Sequence, residues 1–230
     1  MSTAIITGAS RGLGLALARA LAQRGWRLVI DARGAPELQR VATELEAATH
    51  VRALPGDVAD DWHRSALVDA AGERIDLLVN NASTLGPSPL PELAAYPLDA
   101  LQRVYDVNVI APLALTQLAV PLMSDGACIL NVTSDAAVEP YEGWGGYGSS
   151  KTALEQISAI LAAEQPRLRV YSVDPGDMRT QMQQEAFPDQ DISDRPPPEQ
   201  SVPGLLELIY SSLPSGRYRA RELVVSGPAS

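Results

Sequence analysis

The sequence predicts an α/β domain of the doubly wound kind, a parallel sheet with helices on both faces. Three observations predict it. Short apolar runs alternate with longer stretches of helical periodicity over the first 175 residues. The runs are continuously apolar, as strands covered on both faces require. A glycine-rich turn joins the first run directly to the first helical stripe.

In chain order, the apolar runs at 4–6, 28–30, 75–79, 129–132 and 170–173 read as strands. Leu13, Leu17, Ala20 and Leu21 form the first helical stripe, closed by Gly25. Leu38, Val41 and Leu45 form the second, with Pro36 near its start. Leu154, Ile157, Ile160 and Leu161 form a third, which ends before Pro166 because proline cannot continue a helix. Connections of this length imply parallel strands with right-handed crossovers. After Pro175 the pattern breaks into a stretch rich in acids and prolines. It reads either as a solvated excursion or as a lid over a cleft, placed at 176–200. A helix near 198–213 and an edge strand at 222–225 would complete a single domain over 1–230.

Composition narrows the function. The chain has 230 residues, 46% of them hydrophobic, and 18 basic against 28 acidic side chains, a net charge of −10. That balance argues against a protein that holds nucleic acid by neutralising phosphates. A single cysteine, Cys128, and two histidines, His50 and His63, argue against a multi-cysteine or histidine-rich metal site, and no metal is expected. No apolar run approaches the roughly 20 residues of a membrane span. The start of the chain does not resemble a secretory signal. A cytoplasmic protein without a membrane or nucleic-acid partner is expected.

The turn Thr7-Gly8-Ala9-Ser10-Arg11-Gly12-Leu13-Gly14 has the spacing G-x-x-x-G-x-G. Without Cβ atoms the backbone can approach a pyrophosphate, and the helix start favours an anion. A tight strand–helix connection would use the same residues. The nucleotide depends on the end of the second strand, Asp31-Ala32-Arg33. An acid facing the ribose would favour a 2′-hydroxyl. Element lengths put Ala32 in that slot with Arg33 beyond it, and Arg11 lies in the turn, which favours NADP(H). If Asp31 faces the ribose, the preference inverts to NAD.

Tyr147 and Lys151 lie four residues apart at the start of the third stripe, on one helix face. A cation beside a phenol would lower its pKa from about 10 and suit it to proton exchange with a carbonyl oxygen. Ser134, 13 residues earlier, ends a strand whose C-terminus points into the ligand crevice. It would donate to the substrate oxygen or cap the next turn. Asn108 falls in an otherwise apolar helix at 104–110, as a satisfied core contact, a kink or the seat of a water. Asn80-Asn81-Ala82 would brace strand ends or set backbone against a ribose.

Together these residues resemble the short-chain dehydrogenase/reductase family over nearly the whole chain. The motifs are Thr7-Gly8-x-x-x-Gly12-x-Gly14, Asp57-Val58, Asn80-Asn81-Ala82, Asn108, Ser134, Tyr147-x-x-x-Lys151 and Pro175-Gly176-x-x-x-Thr180. The resemblance implies a catalytic set of Tyr147 as acid–base residue, Ser134 polarising the carbonyl, Lys151 on the nicotinamide ribose and Asn108 seating a water. It implies a cofactor site of Gly8, Ser10, Arg11, Gly12, Leu13, Gly14, Ala32, Arg33, Asp57, Val58, Asn81, Ala82, Tyr147, Lys151, Pro175, Gly176, Met178 and Thr180. Asp57 would meet the adenine, Asn81 the ribose, and Thr180 the carboxamide and phosphate end. A homodimer or homotetramer is also implied. Ser83 departs from the family's usual glycine after Asn-Asn-Ala. Asp177 would face substrate or pair with Arg179 or another base.

The expected function is NADP(H)-dependent interconversion of a small-molecule carbonyl and alcohol. The alternatives are a non-catalytic NADP-binding regulator of the same fold and an NAD-preferring alcohol dehydrogenase. Asp135, Val138, Tyr141, Trp144, Met178 and Met182 suggest a medium apolar or aromatic substrate.

Overall fold

A computed structural model describes residues 1–223. The elements follow in the order β1 (Thr3–Ile6), α1 (Gly12–Ala22), β2 (Arg27–Ala32), α2 (Ala35–Glu46), β3 (Val51–Pro55), α3 (Asp61–Ala71) and β4 (Ile75–Asn80). Then come α4 (Leu98–Tyr105), α5 (Ala111–Ala119), β5 (Met123–Val132), α6 (Gly145–Glu164), β6 (Arg169–Asp174), α7 (Gln181–Ala186), α8 (Val202–Tyr210) and β7 (Gly216–Arg219). The strands form one seven-stranded sheet in the order β3-β2-β1-β4-β5-β6-β7. Every pairing is parallel.

Alternation along the strands sorts the core onto two faces. Ala4, Ile6, Leu28, Ile30, Leu77 and Val79 meet Leu13, Leu17 and Leu21 of α1, Leu38 and Val41 of α2, and Leu205 and Leu208 of α8. Ile5, Val29, Leu78 and Ile129 face the other way, onto Leu67 of α3 and Leu115 of α5. Both faces are therefore dry, which is why these strands read as unbroken apolar runs. The order reverses direction between β1 and β4, and ligands of such sheets bind outside the strand C-termini at that point.

Several elements differ from the expectation. β3 has no apolar run: Val51 is buried and Arg52 exposed, the pattern of an edge strand covered on one side. The far edge is β7, whose sequence Gly-Arg-Tyr-Arg carries no strand signal. Of the strand expected at 222–225, Glu222 lies in a 3-10 turn, Leu223 is not in a strand, and Val224 and Val225 lie outside the described residues. The helix expected at 198–213 is a 3-10 turn, Pro198–Ser201, running into α8, which ends at Tyr210. The helix expected through Asn108 is a π turn, Asp106–Ile110, joining α4 to α5. The helical stretch Leu98–Leu122 does have the length and hydropathy of a membrane span, contrary to expectation, but half of its most apolar 18 residues are buried in the protein.

Candidate active site

The C-terminal ends of β1, β4, β5 and β6 and the first turn of α6 bring most of the site residues together. Gly8 has φ of 66°, in the left-handed region, and a Cβ there would stand 2.9 Å from the Cα of Ala82. The turn therefore lies hard against the end of β4. Asn81 braces it: its Nδ2 donates to the carbonyls of Thr7 (2.8 Å) and Gly8 (3.1 Å). The Thr7 hydroxyl accepts the N–H groups of Asn81 and Ala82, each at 3.0 Å. Of the two roles open for the Asn80-Asn81 amides, bracing is the one their side chains perform, since Asn80 in turn donates to Asn131 at 2.8 Å. Thr180 arches over the turn, its methyl 3.6 Å from where a Cβ of Gly12 would be.

At the end of β2, Asp31 is buried and turned inward. Its Oδ1 accepts the Gly8 N–H at 2.7 Å and its Oδ2 meets His63 Nε2 at 3.0 Å. Ala32 and Arg33 follow, the first buried and the second exposed, with the Arg33 charge felt at Asp57. The Asp57 carboxylate is engaged by Arg103, and its other oxygen accepts the Ala59 N–H at 2.9 Å. Val58 packs with Val107 and Ala111 beneath it. Arg11 donates to Gln181 of α7, while Ser10 is half-buried beside it. Met178 packs against the core on the α1 side. Gly176 donates to Asp174 at 2.9 Å, and the Pro175 carbonyl accepts from Ser201 at 2.7 Å. These small residues, with backbone uncovered by side chains at Gly8, Gly12 and Gly176, form a cradle that fits a dinucleotide.

Tyr147 and Ser134 meet because α6 starts tight against the turn after β5. A Cβ on Gly148 would lie 2.7 Å from the Ala136 carbonyl oxygen, so only glycine permits that approach. The buried phenol lies near the Ser134 and Ser83 hydroxyls. Lys151 Nζ donates to the Val132 carbonyl at 2.9 Å and stands 5.5 Å from the Tyr147 ring centre. Asn108 is fully enclosed. Its Oδ1 accepts from Ser83 Oγ (3.0 Å) and Thr84 N (2.9 Å), and its Nδ2 donates to Thr84 O (2.9 Å) and Ser150 Oγ (3.0 Å). All four hydrogen-bonding positions of the side-chain amide are used, so a water held by this residue would have to meet its main chain.

The electrostatics correct one expectation. Burial pushes the Tyr147 phenol above the ordinary tyrosine range, with Asp135 and Asp174 adding to the rise. The Ser134 and Ser83 hydroxyls oppose it. Burial also pushes Lys151 down to about 7. The neighbouring ammonium therefore does not lower the phenol's pKa in the free protein, because both charged forms have lost water.

Four contributors were not singled out for these roles. Ser83 donates to Asn108 and lies near the phenol, and only its departure from the family glycine marks it. Asp135 accepts the Ser134 hydroxyl at 2.9 Å and the Tyr141 hydroxyl at 3.0 Å. Arg217 of β7 stands 3.3 Å from the Ser134 carbonyl, 3.4 Å from Asp174 and 3.0 Å from Glu155. His63 seats Asp31. Asp177 is exposed and pairs with Arg195 at 3.8 Å, not with Arg179. Above the phenol, Trp144 stacks edge-on with Tyr147 at 5.7 Å and with Tyr141 at 6.4 Å, and Phe187 lies 6.0 Å from it. Met182 and Ala186 of α7 pack against Leu85 and Tyr147, while Val138 is exposed.

A family model described as short chain dehydrogenase matches residues 2–191. The chain belongs to that family, whose members are oxidoreductases that bind a nicotinamide cofactor. It is 31% identical to a rhamnolipids biosynthesis 3-oxoacyl-[acyl-carrier-protein] reductase of Pseudomonas aeruginosa, covering 94% of this chain and 82% of that one. It is 32% identical to a benzil reductase ((S)-benzoin forming) of Saccharomyces cerevisiae, covering 88% and 79%. Its fold is similar to a crystal structure of an Escherichia coli short chain dehydrogenase complexed with NADPH, with a TM-score of 0.87, 27% identity and 96% of each chain covered.

Proposed function

We propose that the protein is an NADP(H)-dependent reductase that interconverts a carbonyl and an alcohol, with Tyr147 as the acid–base residue. The observation that carries this reading is the convergence of a buried phenol, the Ser134 hydroxyl and the Lys151 amine beside the glycine turn. When bound, the nicotinamide would exchange a hydride with the carbonyl carbon. Ser134 orients and polarises the carbonyl oxygen, and Tyr147 supplies or accepts the proton there. A phenol held above its ordinary range stays protonated at neutral pH, which suits it to the reducing direction. Lys151 would hold the nicotinamide ribose, and Asn108 holds Ser83 near the phenol and Ser150, whose hydroxyl donates to the Tyr147 main-chain carbonyl.

The NADP(H) preference is supported by the inward turn of Asp31, which leaves Ala32 and Arg33 at the 2′ position with no acid to repel a phosphate. The aromatic wall of Tyr141, Trp144 and Phe187 suits a medium apolar or aromatic carbonyl compound. Residues 176–200 act as its cover, since Met182 and Phe187 reach the phenol side of the cleft.

The test is cofactor consumption with NADPH and with NADH across a panel of ketones and aldehydes, for the wild type and Arg33→Ala. NADPH should be preferred, and Arg33→Ala should weaken it about tenfold while sparing NADH. Absence of turnover with every carbonyl would end the enzymatic reading. Unchanged NADPH affinity in Arg33→Ala would end the cofactor assignment.

A further inference from the structure

His63 takes no part in the proposed chemistry and belongs to none of the family motifs. Its side chain is 9% exposed, and its Nε2 lies 3.0 Å from Oδ2 of Asp31, which is itself 1% exposed. The other oxygen of that carboxylate accepts the Gly8 N–H, the first donor of the glycine turn, at 2.7 Å. The main-chain carbonyl of Asp31 accepts the Ala9 N–H at 2.9 Å. One buried carboxylate is thus clamped between an imidazole from α3 and the turn after β1.

The surroundings are built to admit the ring. A Cβ on Gly56 would lie 2.2 Å from His63 Nδ1 and within 2.6 Å of two ring carbons. Gly56 does not have a positive φ, so space for the imidazole, not backbone conformation, is what a side chain there would remove. Asp60 caps α3, its Oδ1 accepting the Trp62 N–H at 2.8 Å and the His63 N–H at 3.4 Å, which fixes where the ring starts.

We propose that His63 is a positioning residue for the dinucleotide: by holding one oxygen of Asp31 it keeps the other on the Gly8 N–H, and so fixes the turn that receives the diphosphate. The proposal rests on the reading above that this turn takes the cofactor. A buried carboxylate oxygen without a partner is costly. Deprived of the imidazole, Asp31 rotates towards water and releases Gly8, and the turn loses the fixed geometry an anion needs.

The test is calorimetric titration of NADPH and NADH into the wild type, His63→Ala, His63→Gln, Gly56→Ala and the double variant His63→Ala with Gly56→Ala, with a melting curve for each. His63→Ala should weaken both cofactors about tenfold, the loss of one good hydrogen bond. Glutamine, whose amide reaches the position of Nε2, should recover most of that. Gly56→Ala keeps the histidine but displaces its ring, so it should reproduce the loss and add nothing in the His63→Ala background. A folded His63→Ala protein that binds within about twofold of the wild type, or losses from the two sites that add, would overturn the proposal. If His63→Ala does not fold, Gly56→Ala decides: binding within about twofold of the wild type overturns the proposal. A wild type that binds neither cofactor would instead overturn the cofactor reading beneath it.

Discussion

The glycine turn and the segment 176–200, proposed above as a cover, meet at the Arg11–Gln181 contact, yet they are held by different kinds of bond. The turn is fastened from β2 and β4 by part-buried, long-range contacts: Asp31 to Gly8, Asn81 to Thr7 and Gly8, and the Thr7 hydroxyl to the end of β4. The cover relies on exposed or local polar contacts: Arg11 to Gln181, Gln181 to Glu185, the Ser88 hydroxyl to the Glu185 carbonyl, and Asp191 to Ser193. Its deeper anchors are apolar, with Ile192 buried and Met182 against the phenol's cluster. A diphosphate needs donors fixed in advance, whereas a cover must open and close over substrate. Segments with few buried contacts are the ones that open at low cost.

The sharpest way to break that contrast is Asn81→Ala. It strands the Thr7 and Gly8 carbonyls and should cost about 1–3 kcal/mol of stability, read by denaturant unfolding, together with weaker NADPH binding. A loss no larger than that of an exposed cover residue would erase the distinction. Lys151→Met should move stability the other way. The unfolded chain keeps the lysine proton up to about 10.5, while the folded protein releases it near 7. Between those values unfolding takes up a proton, so raising the pH stabilises the fold. The wild type should therefore gain stability from about pH 7 to 9, and Lys151→Met should lack that gain and melt higher, by a few degrees, at the lower end. Above about 9 the buried Cys128 thiol, pushed up to about 12, works against the fold and closes the window. The smallest effect belongs to Gln181→Ala, which removes an exposed contact to Arg11. Its stability should stay within about 0.5 kcal/mol of the wild type.

Those contrasts also explain what could be read from residues alone. The turn, Ser134 and the Tyr147–Lys151 pair announce themselves by spacing, because each sits at a fixed offset from a strand end or on one helix face, and Asn108 stands out as an amide in an apolar stretch. The proposed placement of Ala32, not Asp31, at the ribose slot came from element length, and what the residues could not announce is that Asp31 bonds inward to Gly8. Arg217 and His63 gave no such signal, since they reach the site from β7 and α3 only after the sheet has formed. β7 itself is short and polar, and no periodicity marks it. The pKa expectation failed for a related reason. Two charges side by side attract on paper, but the depth at which Tyr147 and Lys151 lie is a property of the packed fold, and there desolvation wins.

Hydride transfer in a single turnover, with NADPH bound and whichever ketone or aldehyde the wild type reduces fastest, tests the central claim most directly when the wild type is set against Tyr147→Phe. The variant should bind NADPH within about twofold of the wild type and lose at least about a thousandfold in rate, since only the proton donor is gone. Equal rates in the two proteins would contradict the assignment of the chemistry to this phenol.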